Sequence, residues 1–136
     1  MNRDHVLMIR VLTLIYGAGI FLLSAMSVPP GPETTLPGVL GWDKFQHFIL
    51  YLGFGILLGI SFLEFEIDRH AALFFAWMSG ALYAVLDEVH QSFVPAREFS
   101  FFDIAADWIG IGLAVVLILI IITALECREY RKQRSH

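Results

Sequence analysis

Charge is scarce in this chain of 136 residues. Asp, Glu, Lys and Arg make up 16% of it, against about 25% in a typical soluble domain. With 57% hydrophobic residues and a mean hydropathy of +0.70, too little charge remains to cover a water-facing surface. Disorder and fibrous repeats are excluded on the same ground. Cysteine is nearly missing: Cys127 stands alone, which excludes a disulfide within the chain and a cysteine-based zinc site. A basic excess is missing too. The net charge of −4 offers nucleic-acid phosphates nothing beyond a short C-terminal tail. Period-2 alternation, hairpin signals and internal repeats are absent, so a β-barrel is not indicated. What remains is a small integral membrane protein of one domain, residues 1–136.

Four apolar runs are present: Val11 to Val28, Phe45 to Leu63, Ala71 to Leu86 and Ile104 to Leu125. A bilayer core of about 30 Å needs roughly 20 helical residues. The third run alone reaches only about 24 Å, so the helix is expected to continue through Asp87-Glu88-Val89-His90-Gln91. The predicted fold is all-α, a bundle of four transmembrane helices. The first run also has small residues after it that suit signal cleavage, but its apolar stretch is longer than a usual signal core. Val28 to Trp42, rich in Pro and Gly, reads as the one true loop. With both termini cytoplasmic, seven basic residues (Arg3, Arg10, Arg69 and four in the tail 126–136) lie inside and two, Lys44 and Arg97, outside. The positive-inside rule favours that orientation.

In this orientation three helices carry their ionisable residues to one leaflet. Asp43, Lys44 and His47 open the second helix, and Asp87, Glu88, His90 and Gln91 close the third. Arg97 lies in the following loop, and Asp103 and Asp107 open the fourth helix. Asp43 and His47, Asp87 and Gln91, and Asp103 and Asp107 are each four apart, hence on one helical face. Two cations do not neutralise five carboxylates, so some acids are protonated or a cation sits among them. For Asp43 and Asp103 a plain capping role competes with a functional one. For Lys44 the competitor is interfacial anchoring beside Trp42, and for His90 simple exposure to headgroups or water. Gly55 and Gly59 offer a small-residue face for close helix packing or for an oligomer contact, and Gly110 with Gly112 does the same. Phe99, Phe101, Phe102 and Trp108 read as an interfacial belt.

Asp43-Lys44-x-x-His47, Asp87-Glu88-x-x-Gln91 and Pro95-x-Arg97 followed by Asp103 resemble the motifs of the VanZ-like family, over about residues 42–113. Two positions depart from that pattern: Ala96 stands for a usual Gly, and Asp107 for a usual Asn. The resemblance implies a multi-pass protein of the bacterial inner membrane, in a family named for a member linked to teicoplanin resistance. It also carries Asp43, Lys44, His47, Asp87, Glu88, Gln91, Arg97 and Asp103 over as motif residues. Two functions then compete. One is a binder at the outer leaflet that holds an envelope lipid, a lipid-linked glycan or a glycopeptide-type ligand in a charged pocket, with Asp107 added to the motif residues. The other is an enzyme on a lipid-linked envelope precursor, with Asp43, His47, Asp87 and Glu88 as acid–base candidates or as ligands of a divalent metal ion. Oxygen ligands with one imidazole suit magnesium, manganese, calcium or a mixed zinc site. Ser92 and Ser100 lie nearby without an obvious activating partner. Membrane lipids are the expected partners, and nucleic acid is not.

Overall fold

The structure, a computed structural model, describes residues 3–26, 41–95 and 97–134. The expected Pro/Gly loop at 28–40 and the departure at Ala96 lie outside them. The described residues form four α-helices and no strand: α1 (Arg3–Ser24), α2 (Trp42–Leu63), α3 (Arg69–Gln91) and α4 (Phe101–Arg134). Each is long and apolar enough to cross a membrane, and the chain is a multi-pass membrane protein. α1 starts eight residues before its apolar run, because the polar head is itself helical and Asp4 complements the amide dipoles of the first turn. α3 starts at Arg69 because Asp68 caps it, accepting from His70 N at 2.9 Å and Ala71 N at 3.1 Å. Those amides, Ala71 foremost, hold the exposed Asp68 carboxyl below its usual range. The basic tail from residue 126 continues α4 as far as Arg134, and the 34 residues of that helix reach about 51 Å, well beyond a hydrocarbon core of about 30 Å.

Packing explains the bundle. On α2, residues at every fourth position (His47, Tyr51, Gly55, Gly59) are buried, and α3 buries Ala72, Ala76, Gly80, Ala84 and Glu88 at the same interval. α4 buries Asp103, Asp107, Gly110, Ile111, Ala114 and Ile118. Lipid chains are as apolar as leucine, so these helices associate through close contact of small residues rather than through water exclusion. Many of the large apolar side chains face outward accordingly, while Tyr51, Phe54, Leu58 and Ile111 fill the core. The glycine face of α2 is covered by α4 of the same chain, and an added Cβ at Gly55 would lie 2.9 Å from Ala114 Cβ and 3.0 Å from Ile111 Cα. The packing role expected of Gly55 and Gly59 is therefore the one seen within the chain. Gly110 sits where α4 meets the α2 backbone; Gly112 does not, with only Trp77 Nε1 nearby at 3.7 Å. α1 lies on α2 and touches α3 but not α4. Thr13 Oγ1 and Ser61 Oγ share a hydrogen bond of 2.8 Å, and Tyr83 OH donates to Gly17 O at 2.7 Å. The helix that resembled a signal segment is thus bonded into the bundle.

Candidate functional site

All three buried stripes change character at the same end of the bundle. Along α2 the small residues give way to Tyr51 and His47, with the exposed Asp43 one turn further; along α3, to Asp87, Glu88 and Gln91; along α4, to Asp107 and Asp103. The stripes that pack the helices therefore carry the polar groups into contact, with no separate device needed to position them. Nine of the sequence-selected residues meet here, Asp43, Lys44, His47, Asp87, Glu88, Gln91, Arg97, Asp103 and Asp107, linked by the bonds that follow.

Lys44 Nζ lies 3.1 Å from Asp43 Oδ2 and 2.6 Å from Asp103 Oδ1, joining the first turns of α2 and α4. Neither Asp acts as the side-chain cap of its helix. Gly41 occupies the cap position of α2 with no side-chain bond, and Ser100 caps α4, its Oγ accepting from Asp103 N at 3.3 Å. Deeper in, His47 Nδ1 is 3.0 Å from Asp107 Oδ1. With Asp107 ionised, Nδ1–H donates, and Nε2 is the acceptor whenever the imidazole is neutral. Asp87 Oδ2 accepts from Tyr51 OH at 3.2 Å and from Gln91 Nε2 at 3.1 Å. Gln91 Oε1 in turn accepts from Arg97 Nη1 at 3.0 Å, and Arg97 Nη2 reaches Met26 O at the end of α1 at 3.4 Å. Glu88 Oε1 accepts from Ser100 N at 2.6 Å, fastening the chain just before α4.

The adjacent acids Asp87 and Glu88 are 4% and 1% exposed. Every hydrogen bond made to them by a described residue comes from a neutral donor. Asp87 Oδ1, Glu88 Oε2 and Asp107 Oδ2 are buried with no hydrogen-bond partner among the described residues. A buried carboxylate oxygen without a donor is costly. The shortage of positive charge foreseen in the sequence is therefore concentrated on α3.

A cavity of about 1310 Å³ opens at this end, walled by Asp43, Lys44, His47, Asp87, Gln91 and Arg97 among others. Glu88 and Asp107 stand behind that wall. The rest of the wall mixes further polar groups, Glu98 and Asp103 among them, with apolar and aromatic ones: Leu23 of α1, Phe45 and Ile49 of α2, and Phe99 and Phe102 before and within α4. Tyr51 escaped the sequence reading, and Ser100 entered it only as a hydroxyl without an activating partner. Tyr51, fully buried, continues the Asp43–His47 spacing by four more residues, a signal that the run of apolar neighbours hid. Ser100 contributes through its backbone amide, which no side-chain pattern announces. His90 is half-buried, its ring 4.3 Å from that of Phe21, so it packs on α1 instead of facing solvent.

The divalent-metal expectation can be tested on donor geometry. Asp43, His47 and Asp103 offer ligand atoms all within 4.8 Å of one another. Asp87 and Glu88, the other two candidates, are not in that group. Between the two aspartates, however, the cation position is taken by the Lys44 ammonium, and a metal there would have to displace it.

The family model described as VanZ/LLP1 matches residues 7–122. That span takes in α1 as well as the motif region, and the chain belongs to this family. No curated protein and no solved structure matches it.

Proposed function

We propose that this VanZ/LLP1-family membrane protein binds the polar head of a cell-envelope amphiphile in the cavity at the polar end of its bundle. The ligand classes are an envelope lipid, a lipid-linked glycan or a glycopeptide-type molecule. One observation carries the reading: a single cavity joins buried charged and amide groups to an apolar lip formed by Leu23, Phe45 and Ile49. Those three side chains are among the exposed hydrophobics, so in a bilayer the lip is continuous with the acyl chains. Concave sites of mostly apolar lining with a few convergent polar groups suit small amphiphilic ligands. Arg3, Arg10, Arg69 and the basic end of α4 lie at the opposite end of the helices. The positive-inside rule then turns the cavity to the outer leaflet of the bacterial inner membrane. Reporter fusions between Glu64 and Asp68 and after Arg134 should both read cytoplasmic, and a fusion at Pro37 should read external.

The binding test is mass spectrometry of amphiphiles retained by the purified protein, compared with the total membrane extract. One class enriched in the wild type and depleted in Asp43→Asn at equal membrane abundance is the expected result. A retained profile identical to the bulk extract overturns the proposal. A second reading, acid–base catalysis on such an amphiphile, is favoured by the His47–Asp107 pair, which orients the imidazole as catalytic bases are oriented. His47→Asn separates the two, because turnover needs the proton-accepting nitrogen whereas retention of the ligand does not.

A further inference from the structure

Resting on the head-group reading, the unpaired acids identify the kind of head. We infer that the cavity takes an ammonium group borne on an amphiphile, with Asp87 as the acid that receives it and Glu88 adding negative charge from behind the wall. Charge complementarity decides the sign. Lys44 is already held by two aspartates, and Arg97 by the Gln91 amide and Met26 O. Lys44 is thus neutralised by the protein's own carboxylates, and Arg97 is partly spent on neutral oxygens. The described wall carries four carboxylates, Asp43, Asp87, Glu98 and Asp103, against these two cations, a balance that favours a cationic head over an anionic one. Asp87 and Glu88 have the reverse problem: each is more than nine-tenths buried and, among the described residues, is bonded by neutral donors alone and keeps one oxygen without a partner. Asp87 is itself part of the cavity wall. A buried carboxylate is stabilised by an opposite charge that also donates hydrogen bonds, and a primary ammonium does both with three donors.

A metal ion is a poorer match. Among the described residues the one trio with metal-ligand spacing is Asp43, His47 and Asp103, which Lys44 already serves. The aromatic wall adds to the preference, since ring faces attract ammonium ions. The alkyl part belongs with Leu23, Phe45 and Ile49 at the exposed lip.

The test uses the full chain in dodecyl maltoside micelles and reads its unfolding temperature and tryptophan fluorescence. Dodecylammonium, dodecyl phosphate and soluble ethanolamine are titrated separately. Dodecylammonium is expected to bind and to raise the unfolding temperature, at least about tenfold more tightly than either of the others, the factor lost with one charged hydrogen bond. Asp87→Asn should remove about that factor, and Glu88→Gln, behind the wall, should remove less. Preference for dodecyl phosphate overturns the ammonium assignment and leaves the head-group reading standing. Ethanolamine binding as well as dodecylammonium overturns the amphiphile and points to a free amine. If no probe binds while an envelope amphiphile is still retained on purification, the ammonium assignment alone fails; if nothing is retained either, both fail. Should the variants not fold, the ranking of the three probes on the wild type still decides.

Discussion

Replacing Gly110 with alanine tests whether packing and site are mechanically one object. The added Cβ would lie 2.5 Å from Phe48 O and 3.0 Å from Leu52 N, both backbone atoms of α2. It falls about 0.9 Å inside ordinary van der Waals contact with that oxygen, and neither atom can swing aside as a side-chain tip can. The helices must therefore part. Overpacking of this kind costs about 1–3 kcal/mol, while the better helix propensity of alanine returns only about 0.5–1 kcal/mol, so the net effect is destabilising. Asp107 is one turn from Gly110, and His47 is next to Phe48. A separation of about 0.9 Å takes the 3.0 Å His47–Asp107 bond to a length where hydrogen bonding has largely lapsed. Equilibrium unfolding in mixed micelles gives the stability, and nitrogen NMR of the labelled imidazole gives the bond. Gly112→Ala, whose nearest neighbour is at 3.7 Å, and Gly19→Ala, with nothing within 4 Å, should be close to neutral on both measures. Equal stability and an unchanged His47 signal in Gly110→Ala would refute the reasoning.

Tyr51→Phe removes one of the two donors to Asp87 Oδ2 without changing shape, and should cost about 1–3 kcal/mol by leaving a buried acceptor short; unfolding of the purified variant measures it. Ser100→Ala should lower stability by about 0.5–2 kcal/mol through loss of the α4 cap. Asp103→Asn, which removes no cap, should instead lose the Lys44 ion pair and deplete the amphiphile retained on purification, at normal membrane abundance. Asp68 is depressed by the α3 amides, so its stabilising bond is fully present above the unfolded carboxylate pKa and is lost as pH falls through the folded one. Protection factors at His70 and Ala71, with the intrinsic pH dependence of exchange removed, should therefore fall on acidification in the wild type and show no such dependence in Asp68→Ala.

Helix number and the convergence of polar residues were legible because both rest on local spacing. A run of apolar residues long enough to span is decisive by itself, and intervals of four placed Asp43 with His47 and Asp103 with Asp107 on common faces. Partnership was not legible. Nothing in the sequence says that Lys44 bridges two aspartates from different helices, or that Asp107 receives His47 from 60 residues away. Those pairings depend on the register in which α2 meets α4, which Gly55 and Gly110 set by their lack of side chains. The helix ends were misjudged where hydropathy stops and helix does not. Polar heads and basic tails, as at Arg3 and Arg128–Arg134, extend helices beyond the apolar segment.

The long reach of that same His47–Asp107 bond imposes an order on biogenesis. Ribosomes deliver α2 to the membrane well before α4, and for the whole of that interval His47 has no Asp107 to meet. An unmatched imidazole in hydrocarbon is unfavourable, so the early helix is held with its Trp42 end at the headgroups, where water serves as the provisional partner. When α4 arrives with Asp107 two turns inside its leading edge, each helix supplies what the other lacks. Membrane insertion of the last helix and closure of the site are then one event, and a nascent chain stalled before α4 exposes to the bilayer the imidazole by which quality control could tell it from the finished protein.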